Sequence, residues 1–159
     1  MKLGKWLEHW DLTNLKFNVG FLEAEWQPRE PDREAAWELY VEMLTRIVTQ
    51  PLPEGHGDER TALDSVYSLF GTTREILRRK GRDCVRFTKI AVAVLNQVVR
   101  PFTAQWHKLA KEGAFEDPQM RADFRDDLQR LQAQLRKYTR ALADIAQVED
   151  LTALAFEED

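Results

Sequence analysis

The chain has 159 residues, 43% of them hydrophobic and 31% charged, an ordinary balance for one soluble domain with a core of its own. Its 23 basic and 27 acidic side chains give a formal charge of −4, which excludes a generally basic nucleic-acid coat but leaves room for a local basic patch. The single cysteine, Cys84, excludes an internal disulfide and fits a reducing compartment.

The opening stretch MKLGKWLEHW has no apolar signal region, and Glu8 and Asp11 fall early. No apolar run approaches the ~20 residues that span a bilayer. A cytoplasmic protein with no membrane partner is expected. Residues 1–30 hold Trp6, Trp10 and Trp26. Within them, KFNVGFLEAEW alternates Phe17, Val19 and Phe21 with Lys16, Asn18 and Gly20, which reads as an extended segment around 15–25. Leu15, Val19, Leu22 and Trp26 also fall at helical spacing, but Gly20 weakens a helix and the β-branched and aromatic residues favour a strand. A lone strand needs a pairing partner, either residues 1–12 or another chain.

From Asp32 the pattern is helical. Pro31 and Asp32 are start signals, with Glu34 in the first turn. Trp37, Tyr40, Val41, Leu44, Ile47 and Val48 make one stripe, and PLPEGHG stops the helix near Gln50. A second helix is expected from Asp58 to Lys80, facing inward with Leu63, Val66, Tyr67, Phe70 and Leu77. Gly71, followed by Thr72 and Thr73, suits a break or kink, and Gly81 suits the end. A third helix starts near Asp83 and is almost wholly apolar over 90–95, so it reads as the most buried element. Pro101 interrupts it, by a kink or by starting a new helix that carries Phe102, Trp106 and Leu109 inward. Asp117 and Pro118 then open a long helix to about Gln147. Its Phe124, Leu128, Leu131, Leu135, Tyr138, Leu142 and Ile145 repeat every 3.5 residues, the mark of a left-handed bundle or coiled coil. At ~1.5 Å per residue it is ~45 Å long, enough to cross the domain or to meet a second chain. An acidic tail, 149–159, closes the chain. The expected fold is mostly α: a single domain built as a bundle of four to five helices over 31–148, preceded by a short N-terminal extended segment.

Three groups of residues could carry chemistry. The stretch RPFTAQWH places Arg100 and His107 with six residues between them. In size, helical content and this Arg-to-His gap the chain resembles the HEPN family of small all-α domains, many of them metal-independent ribonucleases. The resemblance implies that Arg100 would hold the scissile phosphate and His107 would act as general acid or base. It covers eight residues, and Pro101 stands where that family usually carries a polar residue. Residues seven apart share a helix face but lie ~10 Å apart along the axis. The plainer reading of the same stretch is a proline-adjusted helix whose Arg100 and His107 find carboxylate or carbonyl partners nearby.

The second group is basic. Arg74, Arg78, Arg79, Lys80, Arg82, Arg86 and Lys89 face only Glu75 and Asp83 in REILRRKGRDCVRFTK. Such a corner could grip nucleic-acid phosphates or dock an acidic protein surface, or simply be a solvated helix end suited to the dipole. With Phe87 its only aromatic, and that on the apolar stripe, the corner offers no platform for base stacking. The third group, Glu54, His56, Asp58 and Glu59, lies on a glycine-rich loop. It has metal-type ligands, but Asp58 is better used as a helix N-cap. No metal and no cofactor are expected.

No phosphate loop, nucleophile elbow, Cys–His pair or metalloprotease helix occurs. The 124–145 repeat and the crowded tryptophans, a residue type enriched at binding hot spots, instead point to a non-enzymatic helical protein-interaction module. It would self-associate as a dimer or serve as a small subunit of an assembly, with Trp6, Trp10 and Trp26 at the contact. The alternatives are a ribonuclease working through Arg100 and His107, and a nucleic-acid-binding subunit working through the 74–89 corner.

Overall fold

Helices account for most of the computed structural model, which describes residues 1–53, 55 and 57–155. They are α1 (Leu3–His9), α2 (Val19–Glu23), α3 (Glu30–Thr45), α4 (Glu59–Lys80), α5 (Val85–Val94), α6 (Arg100–Lys111), α7 (Pro118–Ala146) and α8 (Thr152–Ala155). Among the described residues there is no strand, and the fold is the expected mostly-α bundle.

α7 organises the packing. Asp117 caps it by accepting the Gln119 N–H at 2.9 Å, and Gln147 ends it in the left-handed conformation at φ 56°. Every member of its 3.5-residue repeat is buried, from Phe124 to Ile145. The neighbour that covers much of this seam is α3, which lies along α7 in the most extensive helix–helix contact of the chain. Ala35 and Ala36, both fully buried, let the two backbones approach, and Leu39, Tyr40 and Met43 complete the buried face. The stripe expected for α3 is therefore rotated. Trp37 and Val41 point outward, 45% and 42% exposed, while Ala35, Ala36, Leu39, Tyr40 and Met43 face the core.

Polar side chains of α7 hold the segment that follows α3, which leaves the helix at Thr45 rather than near Gln50. Gln132, 1% exposed, donates its amide to the carbonyls of Ile47 and Gln50, each at 2.6 Å. Arg125 pairs with Glu59 at 3.0 Å and donates to the Leu52 and Pro53 carbonyls. Irregular backbone inside a bundle needs such partners, because an unpaired buried carbonyl is costly. Asp32 plays a similar part at the other end of α3. Fully buried, its carboxylate accepts the Arg29 N–H at 2.8 Å and the Phe87 N–H at 2.9 Å. One side chain thereby satisfies free amides at the starts of both α3 and α5.

One expectation about breaks needs correction, and the other gains a detail. α4 runs through Gly71 without interruption, and a Cβ at that glycine would meet nothing within 4 Å. Pro101 falls in the first turn of a new α-helix, α6, as the restart alternative expects. The turn before it, Leu95–Val99, widens to the π form, with the Arg100 N–H reaching back to the Leu95 carbonyl, and α6 follows directly. A proline ring crowds the carbonyl four residues back and has no N–H to give. One wider turn relieves both problems while the chain continues.

The N-terminal region also departs from expectation. Residues 19–23, inside the segment read as extended, form α2 instead. Asn18 caps it by accepting the Phe21 N–H at 2.9 Å, and Val19 is left 73% exposed. The local cap outweighs the alternating pattern because a lone strand here would have no apolar face to cover it. Pairing with the start of the chain does occur, a few residues later. An isolated antiparallel bridge joins Lys2 and Glu25, with the Leu3 N–H on the Ala24 carbonyl at 3.0 Å and the Trp26 N–H on that of Met1 at 2.7 Å.

Candidate functional site

α4 and α6 lie side by side and antiparallel: His107 meets Tyr67, and Arg100, earlier in α6, meets Phe70, later in α4. The Arg100 guanidinium sits 4.7 Å from the Phe70 ring centroid and donates Nε and Nη2 to the Asn96 Oδ1 at 3.2 and 3.1 Å. The His107 ring stands edge-on to Tyr67, with centroids 4.9 Å apart. Arg100 and His107 thus share a face of α6, as their spacing requires, but each has its own aromatic partner on α4. Arg100 finds the expected carbonyl partner in the Asn96 side-chain amide, whereas the contact of His107 is the Tyr67 ring. Phe102 and Trp106 turn inward as predicted, and the buried Trp106 indole donates to Asp127 at 3.1 Å.

The basic corner divides in two. Arg79 is bound to Glu38, and Lys80 to Glu34 at 3.2 Å and Glu38 at 3.5 Å. The Glu34 carboxylate that accepts from Lys80 raises its pKa above the usual lysine value. Both are committed to α3. Arg74 leans its Nε on the Phe70 carbonyl at 3.1 Å. Among the described residues, no carboxylate lies within ion-pair distance of Arg74, Arg78, Arg82 or Arg86. Arg74 and Arg100 therefore brace against the same residue, one on its carbonyl and one on its ring. Two groups that are far apart in sequence become one surface. Tyr67, the partner of His107 on α4, is 51% exposed although its spacing assigns it to the core stripe.

The tryptophans are largely spent inside the chain. Trp6 and Trp26 are 3% and 9% exposed, with ring centroids 4.7 Å apart. The Trp6 and Trp10 indoles both donate to the Asp144 carboxylate of α7, at 2.7 and 3.3 Å. Only Trp10 is partly open. They dock the N-terminal segment onto α7. In the loop before α4, Glu54 and His56 lie outside the described residues. Asp58 is the expected N-cap, accepting the Thr61 N–H at 2.9 Å, which lowers its pKa, and Glu59 is held by Arg125. Among the described residues no group of acidic, His and Cys side chains could hold a metal.

One surface was invisible in the sequence. α2 and the outer face of α5 enclose an open groove of about 380 Å³ lined by Phe17, Phe21, Val85, Val92 and Ala93, with Lys16 and Lys89 at its rim. Phe21, Val85 and Val92 are 38%, 46% and 42% exposed, and the Lys89 ammonium lies 4.7 Å from the Phe21 centroid. Both walls come from different parts of the chain, joined where Gln97 exchanges hydrogen bonds with the Lys16 backbone at 2.7 and 2.9 Å. The alternating reading of 15–25 also puts Phe17 and Phe21 on one face, but it does not show that α5 lies beside them. Phe17 lies just before the Asn18 cap, and its ring meets that of Phe21 edge to face.

No family model, curated protein or solved structure matches the chain. Among the described residues no helix is long and apolar enough to cross a membrane.

Proposed function

We propose that this protein is a helical interaction module that takes an acidic amphipathic helix of a partner protein into the groove between α2 and α5. The observation that carries the proposal is the exposure of Phe21, Val85 and Val92 together, beside two lysines and with no acidic residue in the lining. Contiguous exposed apolar side chains are costly to leave in water and mark contact sites. Val85, Lys89 and Val92 occupy two turns of α5, ~10 Å, which suits a partner helix anchored by apolar residues at i, i+3, i+4 and i+7. The lysines select its flanking charge.

A partner fits better than a second copy joined through α7. The repeat that suggested self-association is covered by α3, and Trp6 and Trp26 are buried. The test is fluorescence titration of an 18-residue peptide with leucines at those four spacings and glutamates beside them, against the same peptide with lysines. The acidic peptide is expected to bind, and Val92→Glu or Lys89→Glu to weaken it at least tenfold. Equal binding of both peptides, or none, would overturn the reading. A dimer in light scattering that Val92→Glu dissolves would assign the groove to a second copy instead.

A further inference from the structure

We infer that the outer face of α4 and α6 is a binding strip for single-stranded nucleic acid, with Tyr67 as the base platform and Arg74, Arg78 and Arg100 as the phosphate grips. The inference does not rest on the α2–α5 groove. It uses other residues, and either could fail alone.

The strip is built from two helices. On α4, Tyr67, Gly71, Arg74 and Arg78 follow one another at spacings of four, three and four, so they line one exposed face. On α6, Arg100 and His107 come from the same side as their contacts with Phe70 and Tyr67. Arg100 and Arg74 are positioned rather than loosely solvated. Arg100 lies against the Phe70 ring, and two of its nitrogens are fixed on Asn96, which leaves Nη1 open for an incoming anion. Arg74 is propped on the Phe70 carbonyl. Arg78 stands one turn further on, ~6 Å along the axis. Arg79 and Lys80, by contrast, are already neutralised by α3. The acidic residues Asp64 and Glu75 flank the strip on α4 and bound its extent.

An aromatic ring decides the kind of anion. Tyr67 is 51% exposed, and its ring stands nearly perpendicular to that of His107, with centroids 4.9 Å apart. A ring presented in this way can stack an unpaired base, worth ~1–3 kcal/mol per base. Bases in a duplex are stacked on each other and cannot use it. A phosphorylated protein or free phosphate would use the arginines but not the ring. Gly71, between Tyr67 and Arg74, adds no side chain that would hold a strand away.

The test is fluorescence anisotropy of a labelled 12-nucleotide RNA of mixed sequence at 50 and 200 mM salt, with the matching duplex as comparison. Single-strand binding is expected to fall with salt at a slope near −0.7 per phosphate contact, about −2 for three arginine grips. Tyr67→Ala and the pair Arg74→Ala with Arg78→Ala should each weaken binding about tenfold, with the helical circular-dichroism signal unchanged, while Arg79→Ala should leave it within about twofold. No binding at 50 mM salt overturns the inference. So does duplex binding that is as tight as single-strand binding and indifferent to Tyr67→Ala.

Discussion

α7 and α4 carry residues at the same helical spacing and put them to opposite uses. On α7 the members of the repeat are apolar and all are buried, against α3 and their other neighbours. On α4 the outward set is Tyr67, Gly71, Arg74 and Arg78, and it is exposed. The difference shows what a 3.5-residue repeat can and cannot say. It identifies a helix that packs along its whole length, but not whether the covering helix belongs to the same chain. Here α3 supplies the cover because Ala35 and Ala36 let it come close. The feature that suggested a second chain is consumed in building the first.

Breaking the α7 seam should have the largest effect. Leu135 is fully buried, and truncation to alanine removes its transfer energy and leaves a cavity. The expected loss is about 2–5 kcal/mol, measured by urea denaturation. Well below the transition the variant should keep the secondary structure of the parent and its elution volume on a sizing column. A variant that instead changed from dimer to monomer, with little loss of stability per protomer, would show that the seam is intermolecular after all.

Tyr138→Phe acts on the same seam in the opposite direction. The Tyr138 hydroxyl is buried and has no hydrogen-bond partner among the described residues, and burial raises its pKa well above the ordinary tyrosine value. An unpaired buried hydroxyl costs about 1–3 kcal/mol, while the ring itself contributes packing. Removing only the oxygen should raise stability by about 1 kcal/mol. A loss of that size would mean that the hydroxyl has a partner, such as a bound water.

Much of the bundle was legible in the sequence because apolar periodicity and caps act locally. Asp58 and Asp117 start α4 and α7 as their side chains dictate, and the α7 repeat is buried as read. The misreadings share one cause. Which way Trp37 and Tyr67 face depends on the helices opposite them, and neither α7 nor α6 can be placed from α3 or α4 alone. Residues 15–25 carry two periodicities at once, and the Asn18 cap decided between them. The effect of Pro101 depended on whether the preceding turn could widen. Arg100, His107 and the 74–89 basic corner were each visible, but not that Phe70 takes both Arg74 and Arg100. The strand reading of 15–25 set Phe17 and Phe21 on one face, but nothing local says that Val85 and Val92 of α5 lie against them.

Gly71→Ala should have the smallest effect, and it bears directly on the contrast between the two helices. Gly71 lies inside α4, exposed, with open space where a Cβ would go. Alanine at an exposed helix interior is better than glycine by about 0.5–1 kcal/mol, chiefly because the unfolded chain loses freedom. For a chain of this size, 1 kcal/mol corresponds to a shift of roughly 2–4 °C in Tm. If glycine sits here only by drift, the substitution raises Tm and leaves strand binding unchanged. If it keeps the surface low between Tyr67 and Arg74, the same substitution raises Tm and weakens the labelled RNA. Stability and binding then move in opposite directions at one position, an outcome that no residue of the α7 seam can give.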